Sequence, residues 1–210
     1  MSWVAIERMV RMARQRGLPG DLEKWMATRD AIYRQIVERG FSEKRNAFVQ
    51  AYDDGDTLDA SLLLMPMVKF VAPTDPRFLS TLDAIGETLV ADSLVFRYDP
   101  AVSDDGLDGA EGTFSICSFW YVEALTRAGR LEEARLALEK MFTYANHVGL
   151  YAEQIGLAGD QLGNFPQAFT HLSLISGHQP RQGAGLAGTK TARFGRALRL
   201  RRCRSPGRGA

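Results

Sequence analysis

The chain has 210 residues, of which 45% are apolar, 10% aromatic and 24% charged, a balance that excludes a disordered or collagen-like polymer and allows one sizeable hydrophobic core. No apolar run approaches the ~18 residues that a bilayer crossing needs, and the N-terminal MSWVAIERMVRMARQRG carries charges inside its apolar stripe, so neither a span nor a signal peptide is expected and the reading is cytoplasmic. Net charge is +1, but residues 179–210 hold nine Lys or Arg and no acid, which leaves residues 1–178 at −8.

In chain order, Trp3, Ile6, Val10 and Ala13 recur at helical spacing and meet Gly17-Leu18-Pro19-Gly20, which reads as an amphipathic helix and its stop. Asp21 caps a second helix with Leu22, Trp25, Ile32 and Ile36 on one side, ending at Gly40. Residues 47–56 suit an extended loop. Residues 58–70, LDASLLLMPMVKF, are apolar almost all round and predict a buried helix that Pro66 kinks or ends. Phe78, Leu82, Ile85 and Leu89 make the next helix, and SLVFRYD at 93–99 is the best strand candidate.

Residues 103–113 form a loop dense in Asp and Gly, followed by a buried aromatic helix to Gly129 and an amphipathic helix from Leu131 to Asn146. A second loop spans 147–164, after which Asn164 is expected to act as N-cap, with Pro166 in the first turn of a last helix. The pattern is all-α, with about seven helices and two long loops. A folded unit is expected over 1–176 and a disordered basic tail over 177–210.

Few constellations carry chemistry on their own. Glu153 in the second loop has Tyr151 and Gln154 beside it; a carboxylate at the rim of a helical array can activate water in hydrolysis, but spacing alone favours a solvated charge, and the functional reading needs support from outside the spacing. Asp104, Asp105, Asp108 and Glu111 resemble a calcium loop but do not follow the EF-hand spacing. Trp120, Phe119 and Phe114 offer either a stacking face for sugar rings or ordinary core. His147, His171 and His178 are scattered, and Cys117 and Cys203 have no paired spacing, so no metal site, disulfide framework or catalytic triad is expected.

Arginines in the tail attract phosphate without sequence preference. They lack interleaved aromatics and amphipathic order, so nucleic acid is not expected as a partner, and the acid-free Gly/Arg composition fits a shifted reading frame of GC-rich DNA better. A rival reading as a non-enzymatic tetratricopeptide-like interaction protein comes from ALTRAGRLEEARLALEKM, although no second copy occurs at the ~34-residue offset that such arrays use.

Taken together, LDASLLLMP (58–66), EGTFSICSFWYVEALTRAGRLEEA (111–134), LYAEQIG (150–156) and QLGNFPQAFTHLSLI (161–175) resemble the C-terminal half of the catalytic domain of family 15 glycoside hydrolases, the glucoamylase-like and bacterial trehalase-like enzymes. The resemblance runs in order over residues 1–176 and implies part of a six-fold α/α toroid, a six-hairpin glycosidase fold left incomplete here. It also implies inverting hydrolysis of an α-glucoside, either trehalose or a gluco-oligosaccharide, with no cofactor and no membrane partner. Oligomeric state is not implied.

By match to that family's pattern, Glu153 is similar to the general base, with Tyr151 and Gln154 shaping its pocket. Glu111, Asp59 and Trp120 take substrate-pocket positions. The family's general acid sits in a Trp-Glu motif upstream of a helix like the one that begins here at Met1-Ser2-Trp3, and the matching motif is absent from the 210 residues. Little or no activity is therefore expected of this chain alone.

Overall fold

A computed structural model describes residues 1–52, 56–99 and 112–178. Glu111, most of the acidic loop and the tail beyond residue 178 lie outside these residues. Helices α1 (Ser2–Arg16) and α2 (Leu22–Arg39) fold back on each other. Gly17 closes α1 in the left-handed region at φ 62°, its N–H donating to the Ala13 carbonyl, a conformation that glycine adopts without steric cost. Asp21 caps α2 by accepting from the Lys24 N–H, and Glu7 ties the pair by binding Arg11 and Arg29.

Strands β1 (Phe41–Ser42) and β2 (Ala47–Phe48) make a small hairpin where the sequence suggested only a loop from 47. The segment 58–70 departs further from expectation. It forms a 3-10 helix over Ala60–Leu64 and then turns to 70, not a buried α-helix. Pro66 has no N–H to continue a helical ladder, and Lys69 adopts a left-handed φ of 65° that breaks any continuation. The apolar residues are buried nonetheless, with Leu58, Ala60 and Leu63 at 2% exposure or less.

Helix α3 (Pro76–Thr88) has Asp75 as its N-cap and Pro76 at its first position, and it buries Phe78, Leu82 and Ile85 as its spacing predicts. Strands β3 (Val90–Ala91) and β4 (Leu94–Val95) then pair around Asp92 and Ser93, both at positive φ. The predicted strand at 93–99 is thus a two-residue ladder, followed by an isolated bridge between Tyr98 and Asp59.

At the centre lies α4 (Ser115–Arg127), which packs on α5 (Leu131–Phe142), α6 (Ala168–His178), the 3-10 helix and β4. Phe119, Val122, Ala124 and Leu125 on α4 are each at most 1% exposed. Strands β5 (Thr113–Phe114), β6 (Gln154–Ile155) and β7 (Gln161–Leu162) form a three-stranded antiparallel ladder that closes the second loop onto the start of α4. Among the described residues six α-helices and one 3-10 helix occupy the seven expected helical positions, and the strands are only connectors. Among the described residues no helix is long and apolar enough to cross a membrane.

Candidate functional site

The β5–β6 pairing sets Gln154 opposite Phe114, and the Ser115 N–H at the first residue of α4 donates to the Glu153 carbonyl at 3.0 Å. Glu153 therefore sits where the second loop meets the N-terminal end of the central helix. Its own N–H donates to the Asn164 carbonyl at 3.0 Å, which fixes the main chain on both sides of the residue. The side chain is held as well. Oε2 accepts from the Asn164 N–H at 3.1 Å and from Asn164 Nδ2 at 2.9 Å. Among the described residues no protein donor reaches Oε1, so one carboxylate oxygen is anchored and the other is open to a water or a ligand.

Neighbouring residues support this position in different ways. Gln154 Oε1 accepts from the Gly112 N–H at 3.2 Å, which ties the strand to the end of the acidic loop. Tyr151 is 2% exposed and packs edge-on against Phe119 at 5.6 Å and His171 at 5.8 Å. Burial pushes its phenol up to about 12. The ring is thus core beneath the site, and Phe119 likewise proves to be core. His171 accepts from the Tyr151 N–H through Nε2 at 3.3 Å and lies 2.7 Å from the Gln167 carbonyl through Nδ1. Both nitrogens of His171 are engaged, Nε2 in holding the loop to α6 and Nδ1 within the first turn of that helix.

Asp59 lies at the cap of the 3-10 helix that packs on the same helix α4. It is 3% exposed, caps the 3-10 helix by accepting from the Ser61 N–H at 2.6 Å, and stands 3.7 Å from Arg97 Nε. Burial pushes the Cys117 thiol up to about 12, and the Asp59 charge acts in the same direction, so Asp59 is electrostatically coupled to the first turn of α4. The start of α4 is the element shared by Asp59, Arg97, Glu153 and Gln154. The hydroxyl of Ser115, at that same turn, is buried without a hydrogen-bond partner.

Trp120 is half-buried on α4, about 7.5 Å along the helix axis from Ser115 at 1.5 Å per residue. Helical spacing puts it with Glu123 and Arg127, which bind each other. Glu111 lies outside the described residues. Two site features were missed in the sequence. Asn164 reads there as a helix cap, but α6 starts only at Ala168 and the Asn164 side chain is bound to Glu153 instead. Arg97 lies inside the stretch predicted as strand and gives no local signal at all.

A cavity of about 580 Å³ lies between α1, α2 and the 3-10 segment, lined by residues such as Val4, Ile36, Tyr52, Leu62, Met65 and Phe70. It is mainly apolar and contains neither Glu153 nor Asp59, so it is not the place where the carboxylates gather.

Known proteins resemble this chain throughout the described region. A sequence model described as glycosyl hydrolases family 15 matches residues 1–178. A trehalase of Mycobacterium tuberculosis is 45% identical over 177 residues, covering 84% of this chain and 26% of that protein. A trehalase of Thermoplasma acidophilum is 43% identical over 176 residues, covering 83% of this chain and 30% of that protein. The chain thus spans less than a third of the length of these curated relatives. A solved glycosidase in complex with glucose superimposes with a TM-score of 0.63 at 17% identity, over 83% of this chain and 43% of that one. At that identity the superposition speaks for the fold.

Proposed function

The chain belongs to glycosyl hydrolases family 15, and on that premise we propose that it carries the general base of an inverting α-glucoside hydrolase, Glu153, for trehalose or a related gluco-oligosaccharide. The observation that carries this reading is the asymmetry of the Glu153 carboxylate, with Oε2 anchored by Asn164 and Oε1 open. Inversion proceeds by attack of a water oxygen on the anomeric carbon from the face opposite the leaving group. In this reading the water gives its proton to Oε1 as the new C–O bond forms and the glycosidic C–O bond breaks.

The pocket roles follow from position. Gln154 and Tyr151 hold the base from the strand and from the core, Asp59 is buried and holds Arg97, whose exposed side chain offers a charged partner for sugar hydroxyls, and Asp59, Trp120 and Glu111 are assigned to the pocket by the family pattern. A natural glycoside also needs a proton on its departing oxygen. The 210 residues contain no Trp-Glu pair to match the family's acid motif. The rival reading as a helical-repeat interaction protein is not favoured, because the family match spans residues 1–178.

α-D-Glucosyl fluoride separates the two halves of this chemistry, since fluoride leaves as an anion and needs no proton donor. The full chain is expected to release fluoride from it, to give β-glucose as the first product by proton NMR, and to lose both with Glu153→Gln. Trehalose should be turned over far more slowly or not at all. Fluoride release that Glu153→Gln leaves unchanged would refute the assignment.

A further inference from the structure

We infer that Asn164 is a positioning residue that clamps Oε2 of Glu153 and thereby dedicates Oε1 to the reacting water. The inference rests on the reading of Glu153 as base. Asn164 gives Glu153 three contacts: its carbonyl accepts from the Glu153 N–H, its N–H donates to Oε2, and its Nδ2 donates to the same oxygen. A carboxylate has two equivalent oxygens and rotates freely unless something distinguishes them. Two N–H donors on one oxygen do so, because charge-assisted hydrogen bonds are about twice as strong as neutral ones.

The backbone is shaped for the same purpose. Strand β7 runs antiparallel to β6, with Gln154 opposite Leu162 and Ile155 opposite Gln161. The chain then turns at Gly163, where φ is +72°, and presents Asn164 to the carboxylate. A side chain at 163 would displace the carboxylate, because a Cβ there lies 2.9 Å from Glu153 Oε2 and 3.1 Å from Glu153 Cβ. Gly163 and Asn164 thus form one device. The glycine lets the backbone approach the carboxylate, and the asparagine takes hold of it. Asn164 touches no reacting atom in this scheme and acts only through Glu153.

Two measurements on the full 210-residue chain test the clamp. The first is NMR of the Asn164 amides. With Glu153→Ala, the Asn164 backbone and Nδ2 signals should move and the backbone amide should exchange roughly tenfold faster or more, as expected for loss of a charged acceptor. Unchanged signals would overturn the clamp whether or not the chain is active.

The second is fluoride release from α-D-glucosyl fluoride by Asn164→Ala and Asn164→Asp. Asparagine and aspartate have the same shape, so a role in packing predicts that Asp is the milder change. A clamp predicts the opposite order, because Asp replaces a donor by a second negative charge beside Oε2. The expected loss is in kcat, on the order of 100-fold for Asp and smaller for Ala, with KM nearly constant. An Asp variant as active as wild type, or a loss confined to KM, would refute positioning. Absence of fluoride release from the wild-type chain would instead count against Glu153 as base and leave the amide measurement to decide the clamp.

Discussion

Gly163→Ala puts the geometry around Glu153 to its most direct test, because two separate costs are built into it. Alanine at φ +72° occupies the left-handed region, which costs an L-residue about 1–2 kcal/mol. Its methyl also meets Glu153 Oε2 at 2.9 Å and Glu153 Cβ at 3.1 Å, so the carboxylate must move by several tenths of an ångström. Both donors of Asn164 would then be out of register, since they now lie at 2.9 and 3.1 Å. Gly149→Ala isolates the first cost. Gly149 has φ +83° and open space around its Cβ position. Urea unfolding should show a loss of about 1–2 kcal/mol for Gly149→Ala, a fall of roughly 2–8 °C in Tm for a domain of this size, and a larger loss for Gly163→Ala, which adds the displaced carboxylate to the same backbone cost. Only Gly163→Ala should lose fluoride release from α-D-glucosyl fluoride, by about tenfold or more, since a 1 Å misplacement costs on the order of 100-fold. The reasoning is refuted if Gly163→Ala keeps wild-type activity, or if Gly149→Ala loses as much.

Three further outcomes follow from the core and its caps. Thr81 is fully buried, accepts from the Phe48 N–H at 2.9 Å and donates to the Arg77 carbonyl at 2.6 Å. Thr81→Val strands that N–H and should cost about 1–3 kcal/mol, more than Thr81→Ser; equilibrium unfolding that finds Val the more stable of the two would contradict this. Asp75 binds the Arg77 side chain, and this guanidinium holds its carboxyl below the usual range. A carboxyl lowered in the folded state contributes stability at neutral pH that is lost as pH falls below about 4, so Asp75→Asn should flatten the acid limb of the stability curve while keeping the cap; an unchanged limb would count against the pair. The Cys117 thiol, pushed up to about 12 by burial and then by Asp59, should resist iodoacetamide at pH 8 in the native chain and react in urea, as peptide mass spectrometry would read.

The helices were legible because their signals are local. Trp3, Val10 and Ala13 lie on one turn-by-turn stripe and are buried, and Gly17 ends the helix with the φ that its residue type favours. Phe78, Leu82 and Ile85 behave likewise on α3. Residues 58–70 misled for a related reason: burial all round is compatible with any compact backbone, and here Pro66 and the Asp59 cap select a 3-10 turn and coil over an α-helix. The three-stranded ladder joins residues 113–114 to 154–155 and 161–162, some forty positions apart, through pairs only two residues long. No periodicity survives in so short a strand.

The same limit explains why Asp59 and Glu153, two acids singled out in the sequence, diverge in the structure. Asp59 and Glu153 both lie near the start of α4, yet their oxygens are committed differently. Asp59 is 3% exposed, with one oxygen on the Ser61 N–H and the other facing Arg97. A carboxylate so engaged orients a cation and a helix start and leaves neither oxygen free to face a water. Glu153 has both anchors on one oxygen, both supplied by Asn164, and is more exposed. Proton transfer needs an acceptor with a vacant lone pair and a fixed direction. Of these two carboxylates only Glu153 meets both conditions, and it meets the second through a residue eleven positions away that sequence pattern assigned to a helix cap.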